Sequence, residues 1–136
     1  SLHLAMRAAL PGVTILSFLA RSDGFLDPDE VEVIVDYVMM STTAELDRDA
    51  CSKVVARLSP DYAELVEHFG YFLRQPERWE RLSRAARRLV DADGEISADE
   101  QIAWRKVSDS YALALEAFEV AEQRKLEDMF GIALRA

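Results

Sequence analysis

Apolar residues recur every three or four positions along nearly the whole chain, and no stretch alternates convincingly at period two. A chain patterned this way folds into helices that bury one face each, so the expected class is all-α. Half of the 136 residues are apolar, with only five Gly and four Pro, which excludes a disordered or low-complexity chain. The length suits a single domain over 1–136, large enough for its own core.

The pattern predicts about seven helices. Leu2 to Ala9 reads as helical, and Pro11-Gly12 breaks or kinks the run. Val13 to Arg21 reads as a wholly apolar, buried helix that stops at Asp23-Gly24. Asp27-Pro28-Asp29-Glu30 combines an N-cap Asp, a first-turn Pro and a third-position Glu, and opens a helix with Val31, Ile34, Val35 and Val38 on one face. Thr42 and Glu45 read as the next capping box, before a helix with Cys51, Val54, Val55 and Leu58 inward.

Ser59-Pro60 is expected to start the central core helix, with the broad stripe Tyr62, Leu65, Val66, Phe69, Phe72 and Leu73. After Gln75-Pro76, a helix to Val90 turns Trp79, Leu82, Ala86, Leu89 and Val90 inward. Ser97 and Glu100 form another box, opening a helix with Ile102, Trp104, Val107 and Tyr111. A separate last helix is expected from Leu115 to Phe130, stopped by Gly131. Short loops and no linker imply a compact bundle.

Net charge is −9, which excludes bulk binding to a nucleic-acid backbone, and suits a protein that meets cations or basic surfaces. Cys51 is the single cysteine, so no internal disulfide forms, and a reducing compartment is compatible. The longest uncharged run, Ala8 to Ala20, is too short to span a bilayer, and no signal peptide is visible. A start at Ser1 rather than Met leads us to expect a piece of a longer protein.

One segment is written twice. Asp23-Gly24-Phe25-Leu26-Asp27-Pro28-Asp29-Glu30 aligns with Asp93-Gly94-Glu95-Ile96-Ser97-Ala98-Asp99-Glu100 at an offset of seventy, with Leu19 matching Leu89 upstream. Each copy ends an apolar helix at Asp-Gly, turns an aliphatic residue inward and starts a capped helix. Two such units would pack about a pseudo-two-fold.

Neither copy is a standard EF-hand. With Gly94 at the sixth loop position, the first ligand position falls on Leu89; upstream, the first and third fall on Leu19 and Arg21.

The two octapeptides and their separation resemble the tellurite-resistance TerB-like family, which includes the N-terminal domains of DjlA-type co-chaperones. There, two segments of the form Ala-Asp-Gly-Glu-Ile-x-x-x-Glu mark helix starts in an all-α domain. The second copy is close to that pattern, and the first departs at Phe25, where the family has an acid. The resemblance covers about residues 10–115.

It implies a bacterial, non-catalytic stress-response module in a multidomain or membrane-associated assembly, located in the cytoplasm or held at the inner membrane face through partners. The partner would be another protein or a neighbouring domain of the same polypeptide, and the oligomeric state stays open. It further implies an acidic cluster that binds a divalent cation or a partner where the loops meet. By position that cluster is Asp23, Glu30, Asp93 and Glu100, with Asp27, Asp29, Asp91 and Asp99 nearby.

Two other readings stand beside it. The same acids can simply cap helices and turns, giving a purely structural helical domain. They can also serve a metal-dependent hydrolase, although the sequence singles out no acid–base pair. His3 lies near the chain start and His68 at the edge of an apolar stripe; neither has a nucleophile at catalytic spacing, and no Cys/His metal cluster or phosphate-binding glycine loop is present. Arg74, Arg78, Arg81, Arg84 and Arg88, mixed with Glu77 and Glu80, form either a solvated face or a docking stripe for an acidic partner.

Overall fold

The least charged stretch of the chain becomes its centre. In the computed structural model, which describes residues 6–92 and 97–131, α1 (Leu10–Ala20) buries Val13, Ile15, Leu16, Leu19 and Ala20 completely. Its two buried polar residues sit within the same helix, and Thr14 Oγ1 donates to the Leu10 carbonyl at 2.8 Å. Pro11 stands in the first turn, where its missing N–H costs nothing. Upstream, Met6 and Arg7 are helical and Ala8-Ala9 turn; the rest of the segment expected as a first helix lies outside the described residues.

Around α1 run α2 (Pro28–Ser41), α3 (Arg48–Arg57), α4 (Tyr62–Glu67), α5 (Phe69–Arg74), α6 (Pro76–Val90) and α7 (Ala98–Phe130). All regular structure among the described residues is helical. α1 packs against α2, α4, α6 and α7, while α3 lies on the outer side of α2. The Tyr37 side chain of α2 lies against the backbone of Gly12: a Cβ there would meet the Tyr37 hydroxyl at 2.0 Å.

Several expected boundaries move. Thr42 ends α2 in an extended conformation and its hydroxyl accepts from Ala44 N at 3.2 Å, so it does not open the next helix. That start is Asp47, whose side chain accepts from Asp49 N, and Arg48 is tied back to Glu32 and Asp36 of α2. Asp61 rather than Ser59 caps α4, in a reciprocal box with Glu64.

The helix expected to be the central one is divided. At His68 the backbone N–H bonds to Leu65 O, three residues back, which tightens the turn and separates α4 from α5. Leu65, Phe69 and Phe72 are buried as expected, but Val66 is exposed, and the central place belongs to α1.

The last two expected helices are one. Nothing between Tyr111 and Leu115 breaks a helix, since Ala and Leu are among the best helix formers, and α7 runs 33 residues to Gly131, whose positive φ ends it. Ile102, expected inward, is exposed. Aromatic rings fasten the first half of α7 to the body: Tyr111 stacks on Trp79 with centroids 3.7 Å apart, and its hydroxyl donates to the buried Phe72 carbonyl at 3.0 Å.

Candidate functional site

The first acidic loop is built by short-range hydrogen bonds. Asp23 Oδ1 accepts from Phe25 N at 3.0 Å, and Gly24 takes φ 88°, a left-handed conformation that favours glycine. Arg21 anchors the loop from behind: its guanidinium donates to the Leu58 and Ala56 carbonyls at 2.6 Å each, at the C-terminus of α3. The free carbonyls and negative dipole of that helix end attract the cation. Spacing within the repeat carries no sign of this tie.

Asp27 then caps α2, accepting from Asp29 N at 2.8 Å, and Glu30 Oε1 accepts from Asp27 N at 3.1 Å. Ser97 caps α7, accepting from Glu100 N at 3.3 Å. Glu30 and Glu100 are thus the third residues of two different helices, and each is only 2% exposed. Capping occupies one oxygen of Glu30; Oε2 of Glu30 and Oε2 of Glu100 are buried with no hydrogen-bond partner.

The structure brings three of the candidate acids together. The carboxyls of Glu30 and Glu100 lie within hydrogen-bonding reach of one another, and Asp23 reaches Glu100 from the loop. Burial and then the Glu30 charge push the Glu100 carboxyl up to about 8. Burial also raises Glu30, partly offset by its bond from the Asp27 backbone. Two buried carboxylates have no donor to offer each other, so the pair favours taking up a proton or a cation.

Asp29 and Asp99 point to solvent in the first turns of their helices, where the positive dipole favours them. Asp27 is engaged in its cap, and Asp91 is exposed at the end of α6. Asp93 lies outside the described residues, which contain no group of three or more Asp, Glu, His or Cys side chains arranged to hold a metal.

No protein-family model, curated protein or solved structure matches the chain. No helix among the described residues is long and apolar enough to cross a membrane.

The arginine stripe divides into engaged and free members. Arg74 donates to Gly70 O, Arg78 donates to the Tyr71 hydroxyl at 2.8 Å, and Arg88 pairs with Asp36 at 3.3 Å. Arg81 and Arg84 are exposed and have no ion-pair or hydrogen-bond partner among the described residues. Cys51 is fully buried, and burial pushes its thiol up, away from reactivity.

Proposed function

We propose that this chain is a non-catalytic, TerB-like sensing and interaction module whose Glu30–Glu100 pair takes up a divalent cation. What supports the reading is one observation: two buried carboxyls, donated by separate helices, each keep an oxygen without a partner. Capping alone accounts for one oxygen of Glu30 and leaves these two unexplained, although a buried acceptor is costly to leave unpaired.

An all-oxygen donor set fits a hard cation such as Mg²⁺, Mn²⁺ or Ca²⁺ rather than a thiophilic metal. With two buried carboxylates in place, Mg²⁺ suits best, because it is commonly held by one or two carboxylates and retains water. When bound, the ion supplies positive charge that replaces a shared proton and ties the starts of α2 and α7 together. A pseudo-two-fold relation between the two loop–helix units belongs to this proposal, as do Asp93 as a further ligand and a role in stress response on the cytoplasmic side of a membrane. The partner would be a protein or a neighbouring domain that reads how firmly the two helix starts are joined.

Calorimetric titration of Mg²⁺, Ca²⁺, Mn²⁺ and Zn²⁺ into metal-stripped protein tests the reading, repeated on Glu30→Gln/Glu100→Gln. Saturable heat with a hard cation, absent in the folded variant, is the expected result. Heat unchanged by the variant, or none for any metal, sinks the cation site.

A further inference from the structure

The second half of α7 leaves the body of the protein. Leu115 is the last residue of the helix packed against the core, yet the helix continues to Phe130. At 1.5 Å per residue the whole element is about 50 Å long, and beyond Leu115 none of its apolar residues joins the core among the described residues. An isolated helix of that size is marginal in water, because packing supplies most helical stability.

The face that holds α7 to the body does not stop where the body stops. From Tyr111 it runs on at three- and four-residue spacing through Leu115, Phe118, Glu122, Leu126 and Met129. Met129 is 71% exposed, Phe130 62% and Leu126 44%. Glu119 lies beside this stripe, one turn from Leu115 and near enough to act on the Tyr111 hydroxyl. Glu122 pairs with Lys125 at 3.7 Å across exposed helix surface, a contact of little strength. The tail is therefore acidic and apolar on one side.

A surface of opposite character lies between α2 and α6. A cleft of about 410 Å³ there is lined by Tyr37, Met40, Arg81, Arg84, Ala85 and Arg88. Its floor is apolar, with Tyr37 and Ala85 buried, and Met40 is exposed at its side. Its rim is cationic, and neither Arg81 nor Arg84 has a hydrogen-bond or ion-pair partner among the described residues.

We propose that the occupant of this cleft is the distal half of α7 from a second copy of the chain. Leu126 and Met129 would lie over Met40 and Ala85, with Glu119 and Glu122 against Arg81 and Arg84. The charges match in sign, and Leu126 and Met129 on the tail and Met40 at the cleft are exposed. Because α7 runs on without a break, the tail cannot turn back into its own cleft. Both halves of the contact are present on every copy, so a two-fold pair makes it twice, which doubles the area buried. This inference is independent of the carboxylate site.

Sedimentation of the intact chain over a range of concentrations, with and without charge reversals, tests it. The unaltered chain dimerises, and raising salt from about 0.05 to 0.5 M weakens the dimer, as screening requires. Arg81→Glu/Arg84→Glu and Glu119→Lys/Glu122→Lys each weaken it on the order of tenfold or more, through like charges brought together. An equimolar mixture of the two variants dimerises again, since both contacts in the mixed pair are complementary. Met129→Asp, at a side chain far from the core, weakens the dimer and leaves the tryptophan fluorescence of the core unchanged.

A chain that stays monomeric throughout overturns the proposal. So does a dimer indifferent to the cleft reversal, which would place tail against tail, and so does a mixture that fails to re-associate.

Discussion

Glu30 and Glu100, each the third residue of its helix, bury their carboxyls against one another and leave an oxygen apiece without a hydrogen-bond partner. Two acids in one dry site cannot both ionise cheaply. A proton or a cation must sit between them, and most of the chemistry open to this protein follows from that requirement.

The pair makes stability depend on pH. The Glu100 carboxyl is raised from an ordinary value of 4.5 to about 8 in the folded chain, so the native state holds a proton that the unfolded chain releases. The stabilisation is fully present below about pH 4.5 and is lost as pH rises through about 8. The unfolding temperature of metal-free protein should therefore fall between pH 5 and 8. Glu100→Gln should flatten that slope and raise the unfolding temperature at pH 8; an unchanged slope would locate the titration elsewhere.

A hard cation should act in the opposite direction. It competes with the proton for the same oxygens, so Mg²⁺ should raise the unfolding temperature more at pH 8 than at pH 6, through binding to the folded state alone. Differential scanning calorimetry at the two pH values checks this, with Glu30→Gln/Glu100→Gln as the insensitive control.

Gly12→Ala should destabilise the centre of the fold. The added Cβ would stand 2.0 Å from the Tyr37 hydroxyl, forcing the Tyr37 ring away from α1. Overpacking of this kind costs about 1–3 kcal/mol. The ring carbons Cζ and Cε1 would stand at 2.3 and 2.4 Å, so Tyr37→Phe should not relieve the clash, whereas Tyr37→Leu should recover part of the loss in urea unfolding; equal, additive losses would show that the contact is not the cause.

Arg21→Ala should loosen the first loop without touching an acid. It removes two 2.6 Å bonds to the carbonyls at the end of α3; water can replace the exposed one at Ala56, and leaving the partly buried Leu58 carbonyl unpaired costs about 1–3 kcal/mol. Amide exchange should quicken at Ser22 and Gly24, whose N–H groups bond within the loop, and exchange in α7 should be unaffected.

Tyr111→Phe should cost about 1 kcal/mol by removing one of the two donors to the Phe72 carbonyl, which keeps the Gln75 N–H, whereas Trp79→Ala should cost about 3–5 kcal/mol. Trp79 has Tyr111 stacked on one ring face and also meets Phe69, Phe72 and Trp104, so its removal opens a cavity under α7.

Local chemistry determined much of this protein. The helical class, the buried α1, the starts at Asp27 and Ser97, and the inward faces of α2 and α6 follow from apolar spacing and caps, because each rests on neighbours a few residues away. Tertiary structure decided the rest. The break at His68, where the backbone N–H turns to the Leu65 carbonyl, is not marked by the apolar spacing that runs through it. That α7 outlasts the core is legible only once the core's edge is known. The sequence marks Glu30 and Glu100 as capping acids, and a cap is satisfied by its own turn. What makes them more than caps is that two helices meet there and exclude water from both carboxyls, and desolvation is a property of the assembled fold.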